Sequence, residues 1–209
     1  MRILVLGASG RTGRLLSADA IARGHSVTAF VRDERRLGAL RPAGLDVATG
    51  DALDPASLAR AVSGQDAVLT LLAPRHERDE RVYSRGTANL IAAMDAAGVR
   101  RLVAVSAEGV RVAHWELPLA YRVVMLLPGL DDIYEDIGRM EDEVVASDLD
   151  WTLVRPAVLT DGPAAGAYRT ATTDTVPGGS TISRADLAAF ILDVAESGAH
   201  SREKVALAD

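Results

Sequence analysis

The sequence predicts an α/β fold in three layers. It has a doubly wound, mostly parallel sheet with helices on both faces and a small C-terminal substrate-side extension. Three observations lead there. Short apolar runs alternate with helically spaced apolar residues through the first hundred positions, the mark of repeated strand–helix–strand units. A glycine-rich stretch, Gly7 to Gly13, falls at the first strand-to-helix junction. No internal repeat or linker interrupts the chain, so residues 1–209 read as a single domain.

Taken in order, Arg2 to Gly7 is an apolar run ended by glycine, and Arg11 to Arg23 follows as a helix with Leu15, Leu16, Ala20 and Ile21 in helical spacing. His25 to Val31 is the second strand and Leu45 to Ala48 the third, with a short charged helix between them. Asp54-Pro55 opens a helix, because Asp caps well and Pro suits the first turn. Ala67 to Leu72 reads as the fourth strand, Ser84 to Ala97 as an alanine-rich helix closed by Gly98, and Leu102 to Val105 as the fifth strand. The rhythm breaks after residue 106. A long excursion through Pro128 precedes a charged helix from about Asp131 to Ser147 and a strand, Trp151 to Val154, that ends at Arg155-Pro156. Residues 157–182, rich in Gly, Pro and Thr, are expected to be irregular. Ser183 to Glu196 is a capped helix with Leu187, Phe190, Ile191 and Val194 inward.

The chain has no cysteine, one lysine (Lys204) against 22 arginines, and a net charge of −6. Disulfides, thiolate catalysis and Cys-ligated zinc are therefore excluded. The acidic balance, with basic residues mixed among acids as in Asp33-Glu34-Arg35-Arg36, disfavours a nucleic-acid or anionic-lipid surface. Residues 1–6 lack the cationic region and cleavage site of a signal peptide, so a cytoplasmic location is expected. The apolar stretch Val112 to Leu130 carries His114, Glu116, Arg122 and two prolines, which suits a lid or an oligomer contact better than a membrane span. A monomer or homodimer is expected.

Gly7-Ala8-Ser9-Gly10-Arg11-Thr12-Gly13 combines tight-turning glycines with a helix N-terminus, whose N–H groups and dipole suit a pyrophosphate. Its place after the first strand of an alternating chain points to a dinucleotide site in a Rossmann fold. The second strand ends at Arg32, where an NAD-preferring site more often carries an acid. An arginine attracts a 2′-phosphate, so Arg32, helped by Arg36, argues for NADP and for NADPH over NADH. The alternative is a surface cation paired with Asp33 or Glu34. Asp51, with Ala52, follows the third strand and either accepts from the adenine amino group or caps the next turn. Leu71, Leu72 and Ala73 end the fourth strand and suit a ligand groove.

Together with Val31-Arg32-Asp33, Gly50-Asp51, Gly64 to Val68, Leu71-Leu72, Asn89 to Met94, Arg139-Met140 and Asp161-Gly-Pro163 through Tyr168, these residues resemble the atypical short-chain dehydrogenase/reductases. Within that group the likeness is to biliverdin-IXβ reductase/flavin reductase and its bacterial NAD(P)H-binding relatives. The resemblance implies an NADP-binding Rossmann fold with substrate set over the nicotinamide by the loops after strands four to six, which brings Pro156, Ala157 and Val158 to the cofactor. The substrate-side serine of that pattern falls on Ala107 and its pocket histidine on Val158, departures that weigh against bilin reduction.

Tyr-x-x-x-Lys catalysis is absent in its usual form, because the one lysine lies at position 204. Tyr134 is followed four residues on by Gly138; it is either a catalytic candidate or a pocket-lining residue. Ser106, at the carboxyl edge of the fifth strand, either hydrogen-bonds substrate or nicotinamide or caps a turn. Tyr168 and Trp115 are candidates to stack on a planar acceptor. His76 and His114 have no spaced acidic partner, so no metal site is expected. Flavin or quinone reduction needs less of the protein, because the proton can come from water, so the leading reading is hydride transfer from NADPH to a flavin-, quinone- or bilin-like acceptor. Competing readings are an NmrA-type redox-sensing module without turnover and a nucleotide-sugar epimerase or dehydratase.

Overall fold

A computed structural model describes residues 1–40, 43–74, 81–110, 112 and 129–209. Its elements, in chain order, are β1 (Arg2–Leu6), α1 (Arg11–Ala22), β2 (Ser26–Val31), a 3-10 segment (Glu34–Leu40) broken at Gly38, β3 (Leu45–Thr49), α2 (Pro55–Val62), β4 (Ala67–Thr70), α3 (Val82–Ala97) and β5 (Arg101–Val105). They are followed by α4 (Leu130–Ala146), β6 (Asp150–Pro156), β7 (Val158–Thr160), β8 (Arg169–Ala171), β9 (Thr181–Ser183), α5 (Arg184–Ser197) and β10 (Glu203–Ala208).

Eight strands form one sheet in the order β3-β2-β1-β4-β5-β6-β10-β8, parallel except for β8, which runs antiparallel to β10. This is the doubly wound Rossmann architecture. Its order reverses on either side of β1, where Leu6 is in register with Phe30 of β2 and with Thr70 of β4. Ligands bind outside the carboxyl ends of the strands at that switch point, because the connections diverge there and leave a crevice.

Strand alternation divides the core into two layers. Ile3 and Val5 pack with Leu16, Ala20, Leu187 and Ile191 of α1 and α5. Leu4 and Leu6 face the other way, toward Leu58, Leu90, Met94, Met140 and Val144 of α2, α3 and α4. Burial on both faces explains why β1 is apolar from Ile3 to Leu6 rather than alternating. Among the described residues no helix is long and apolar enough to cross a membrane.

The structure departs from the sequence expectations in the C-terminal third. Residues 157–182 are not wholly irregular: β7, β8 and part of β9 lie within them, β7 pairing with β9 in a separate ribbon. Three-residue strands carry too little periodicity to register. β10 pairs with β6 through Val205 and Val154, although no element was expected after Glu196. Its Glu-Lys start and alanines give it little β-propensity, and burial between neighbours decides its state. β4 ends at Thr70, so Leu71 and Leu72 are released from the strand into the crevice rim. The segment expected as a lid or oligomer contact falls, over 113–128, outside the described residues, as do His76, His114 and Trp115.

Helix α3 starts from Arg81 in a left-handed conformation and has no cap of its own. Asp136 of α4 caps it instead: one carboxylate oxygen accepts from the Tyr83 N–H at 2.9 Å and the other from the Ser84 hydroxyl. Asp136 is buried, so its removal strands those donors. Asp136→Ala is expected to cost about 1–3 kcal/mol, read as a lowered urea midpoint; an unchanged midpoint would show that α3 needs no cap.

Candidate functional site

The turn after β1 is built by steric exclusion. Gly7 has φ 81, and a Cβ there would lie 2.3 Å from the Leu71 carbonyl oxygen. A Cβ on Gly13 would lie 2.3 Å from the Gly7 carbonyl oxygen, so glycine lets α1 start hard against the end of β1. Gly10 donates its N–H to the Gly7 carbonyl at 2.9 Å and itself meets nothing closer than 3.2 Å on the side where a Cβ would point. The N-cap of α1 is Gly10, which has no side chain to cap it, and among the described residues no other side chain bonds to its first N–H groups. Its uncapped N-terminus, carrying about half a positive charge, and the glycine surface fit a pyrophosphate. The Ala8 side chain is in the core. The Ser9 carbonyl accepts from Arg14 Nε at 3.0 Å, and Arg14 also donates to the Arg36 carbonyl. Arg14 thus braces the turn from behind, a role invisible in sequence because a helix arginine reads as a solvated face.

The crevice has a volume of about 660 Å³. It brings together Gly7, Gly10, Arg11, Thr12 and Gly13 of the turn, Leu71, Leu72 and Ala73 after β4, Ser106 after β5, and Pro156, Ala157 and Val158 at the end of β6. Val158 is 49% exposed, an apolar side chain left open on the crevice wall. Arg11 also forms an ion pair with Asp161, and Asp161 accepts from Arg184 at 2.8 Å, which ties the turn to the C-terminal extension.

Arg32, Arg36, Asp51 and Ala52 are outside this lining, beside the paired ends of β2 and β3, where Gly50 donates to the Val31 carbonyl. Arg32 and Arg36 are exposed. Asp33 is engaged by Arg35, whose backbone N–H and Nε both donate to it at 3.0 Å. Asp51 accepts from the Leu53 N–H at 2.9 Å, so it does cap its turn with one oxygen. Ala52 is buried, and its carbonyl accepts from Asn89.

At the far end, Tyr83 and Tyr134 line the crevice with Ala107 and Glu108. Burial pushes the Tyr83 hydroxyl up to about 12, with Asp136 and Tyr134 adding to the shift. Burial and the Glu108 carboxylate move Tyr134 the same way. Both shifts run opposite to the one a Tyr-Lys pair produces. Glu108 is buried and accepts from the Val176 N–H at 3.3 Å; it was missed because it sits in a turn with no periodic signal. Ser106 is 8% exposed and donates its hydroxyl proton to Glu141 Oε1 at 2.6 Å. Lys204 donates to the same carboxylate at 3.1 Å. Tyr168 stacks edge-to-face on Phe190 at 5.9 Å, a packing contact away from the crevice lining. Among the described residues no cluster of three or more His, Asp or Glu has the arrangement a metal would need.

The model of the NAD(P)H-binding family matches residues 7–198. A Streptomyces protein named 3-diazoavenalumate denitrifying reductase is 36% identical over 187 residues, 81% of this chain and 59% of its own length. A 2-alkyl-3-oxoalkanoate reductase from Stenotrophomonas maltophilia is 36% identical over 121 residues, 54% of this chain and 36% of its own. The chain thus spans less than two thirds of these relatives. Among solved structures, a Rossmann-fold NAD(P)-binding family protein from Shigella flexneri is 26% identical, with a TM-score of 0.76, and the match covers 99% of this chain and 92% of that one. ChuY, an anaerobillin reductase from Escherichia coli O157:H7, has a TM-score of 0.82 at 22% identity over 100% and 97% of the two chains, a likeness of fold.

Proposed function

Since this chain belongs to the NAD(P)H-binding family, we propose that it is an NADPH-dependent oxidoreductase that passes hydride to a flavin-, quinone- or bilin-like conjugated acceptor. The observation that carries the reading is a single crevice that joins a glycine-lined helix start to a far end whose buried tyrosines are shifted away from acid–base use. Bound there, the nicotinamide supplies the hydride. The protein's part is to hold the pyrophosphate at residues 7–13, orient the ring against Ser106 and Pro156 to Val158, and exclude water with Leu71, Leu72 and Val158. The acceptor's proton comes from solvent, so no protein acid is required. Reductase-named relatives support this class of chemistry. A cytoplasmic monomer or homodimer, with no nucleic-acid or membrane partner, completes the proposal and accords with the net charge of −6.

The test is NADPH oxidation with FMN, FAD, quinones, biliverdin and a diazo compound, the last because of the Streptomyces relative's name. Turnover with one of them is expected. Tight NADP⁺ binding without turnover on any would favour an NmrA-type redox-sensing module instead.

Within the same reading, Arg32 reads the 2′-phosphate and Arg36 assists, while the remaining Asp51 oxygen accepts from adenine. Arg32→Ala is expected to weaken NADPH binding roughly 10- to 100-fold, the loss of one charge-assisted hydrogen bond, and to leave NADH nearly unchanged. Equal losses in fluorescence titrations with the two dinucleotides would remove Arg32 from that role.

A further inference from the structure

We propose that Ser106 faces the cofactor as a fixed hydrogen-bond acceptor for the nicotinamide carboxamide N–H, held in that polarity by the buried Glu141, and so is not a proton donor in the reaction. The proposal rests on the NADP reading above and assigns Glu141 a positioning role.

A serine hydroxyl has one proton to donate and two lone pairs. Here the proton is committed to Glu141 Oε1 at 2.6 Å. Glu141 is 0% exposed and accepts from Arg155 Nε at 2.8 Å, Arg155 Nη2 at 2.6 Å and Lys204 Nζ at 3.1 Å. With Ser106, four donors meet a carboxylate that has about four acceptor positions. Two cations hold it ionised, so it has no proton to return to Ser106. Turning the Ser106 proton toward the crevice would take a charge-assisted bond from a buried anion and leave only another neutral contact in exchange. What the hydroxyl offers the crevice is therefore its lone pairs.

The location selects the donor. Ser106 follows β5, and β5 lies two strands from β1 in the sheet. Two strand spacings are about 10 Å, the order of the span from a pyrophosphate through one ribose to its ring. The carboxamide supplies N–H donors at that end. The chain's one lysine, absent from any tyrosine pair, gains a part here as one of the two cations that keep Glu141 an acceptor.

The test uses two dinucleotides and the whole protein. NADP⁺ is compared with its 3-acetylpyridine analogue, in which a methyl ketone replaces the carboxamide and removes the N–H donors, by titration calorimetry. Wild-type protein is expected to prefer NADP⁺ by roughly 3- to 10-fold, the scale of one hydrogen bond. Ser106→Ala should bring the preference close to one, and Ser106→Thr, which keeps the hydroxyl, should restore it. Glu141→Gln should also abolish it: Arg155 claims the amide oxygen, the amide N–H turns to Ser106, and the hydroxyl is freed to donate into the crevice. A merely structural role would weaken both dinucleotides alike and leave their ratio intact. A preference that survives in Ser106→Ala overturns the proposal, and the serine pair decides it even where Glu141→Gln does not fold. Failure of the wild-type protein to bind NADP⁺ would instead overturn the cofactor reading, and the proposal with it.

Discussion

Gly7→Ala is expected to abolish dinucleotide binding and to destabilise the fold by about 2–5 kcal/mol, whereas Gly10→Ala is expected to lose binding while keeping nearly all its stability. At Gly7 two costs add. A side chain at φ 81 carries about 1–2 kcal/mol of strain, and its Cβ would sit 2.3 Å from the Leu71 carbonyl oxygen. That oxygen is backbone, so relief requires β1 and the chain after β4 to part, an overpacking cost of about 1–3 kcal/mol. Gly10 has an ordinary φ of −74, and a Cβ there approaches only the Gly7 carbonyl oxygen, at 3.2 Å. Its methyl would stand on the surface a pyrophosphate must approach. We expect an affinity loss of roughly 100-fold with a stability change under about 1 kcal/mol, read by calorimetry and thermal melting. Wild-type affinity in Gly10→Ala would reduce the glycine stretch to a structural turn.

That contrast shows what kind of information sequence carries. The unit β1–α1–β2 was legible because each part leaves a local mark: an apolar run buried on both faces, a glycine stretch at the turn, where Gly7 takes a left-handed φ and Gly13 a close approach, and helical spacing after it. The place of Ser106 followed from strand order alone, since ligands collect at carboxyl ends. The partners of Ser106 did not. Glu141 lies on a helix dense in charge, and its burial comes only with the completed fold, in which α4 meets β6 and Arg155 reaches it from 14 residues away in sequence. Lys204 was informative by its absence from a tyrosine motif, yet its contact with Glu141 depends on β10, a strand whose sequence hardly favours one. Asp136 capping another helix is hidden for the same reason: caps are recognised by adjacency, and this one acts across 52 residues. Local physics writes itself into sequence; charge compensation over long separations does so only through the completed fold.

Arg155→Met is the substitution expected to cost most. Arg155 and Glu141 are 2% and 0% exposed, joined by two hydrogen bonds. Removing the guanidinium leaves a buried carboxylate with Lys204 as its remaining cation, and unpairing a buried ion costs about 3–5 kcal/mol, a large part of a typical domain's stability. Burial alone pushes the Glu141 carboxyl up, but hydrogen bonds from Arg155 and Ser106 and the charges of Arg155 and Lys204 outweigh it and hold the group below its ordinary 4.5. Its stabilising contribution is therefore complete above that ordinary value and is lost as pH falls through the lower folded value. In Arg155→Met the burial effect prevails and the carboxyl rises, so protonation relieves the stranded charge. The deficit relative to wild type should accordingly be largest near pH 7–8 and shrink toward pH 4. Replacing both partners, Arg155→Met with Glu141→Leu, should recover much of the loss, because Asp174, which Arg155 also pairs with, and Lys204, at 62% and 32% side-chain exposure, remain within reach of water. Urea midpoints of the single and double variants from pH 4 to 8 test this. A deficit that is the same at every pH, or a double variant no more stable than the single, would mean that Arg155 contributes through shape and packing rather than through the charge it sets against Glu141.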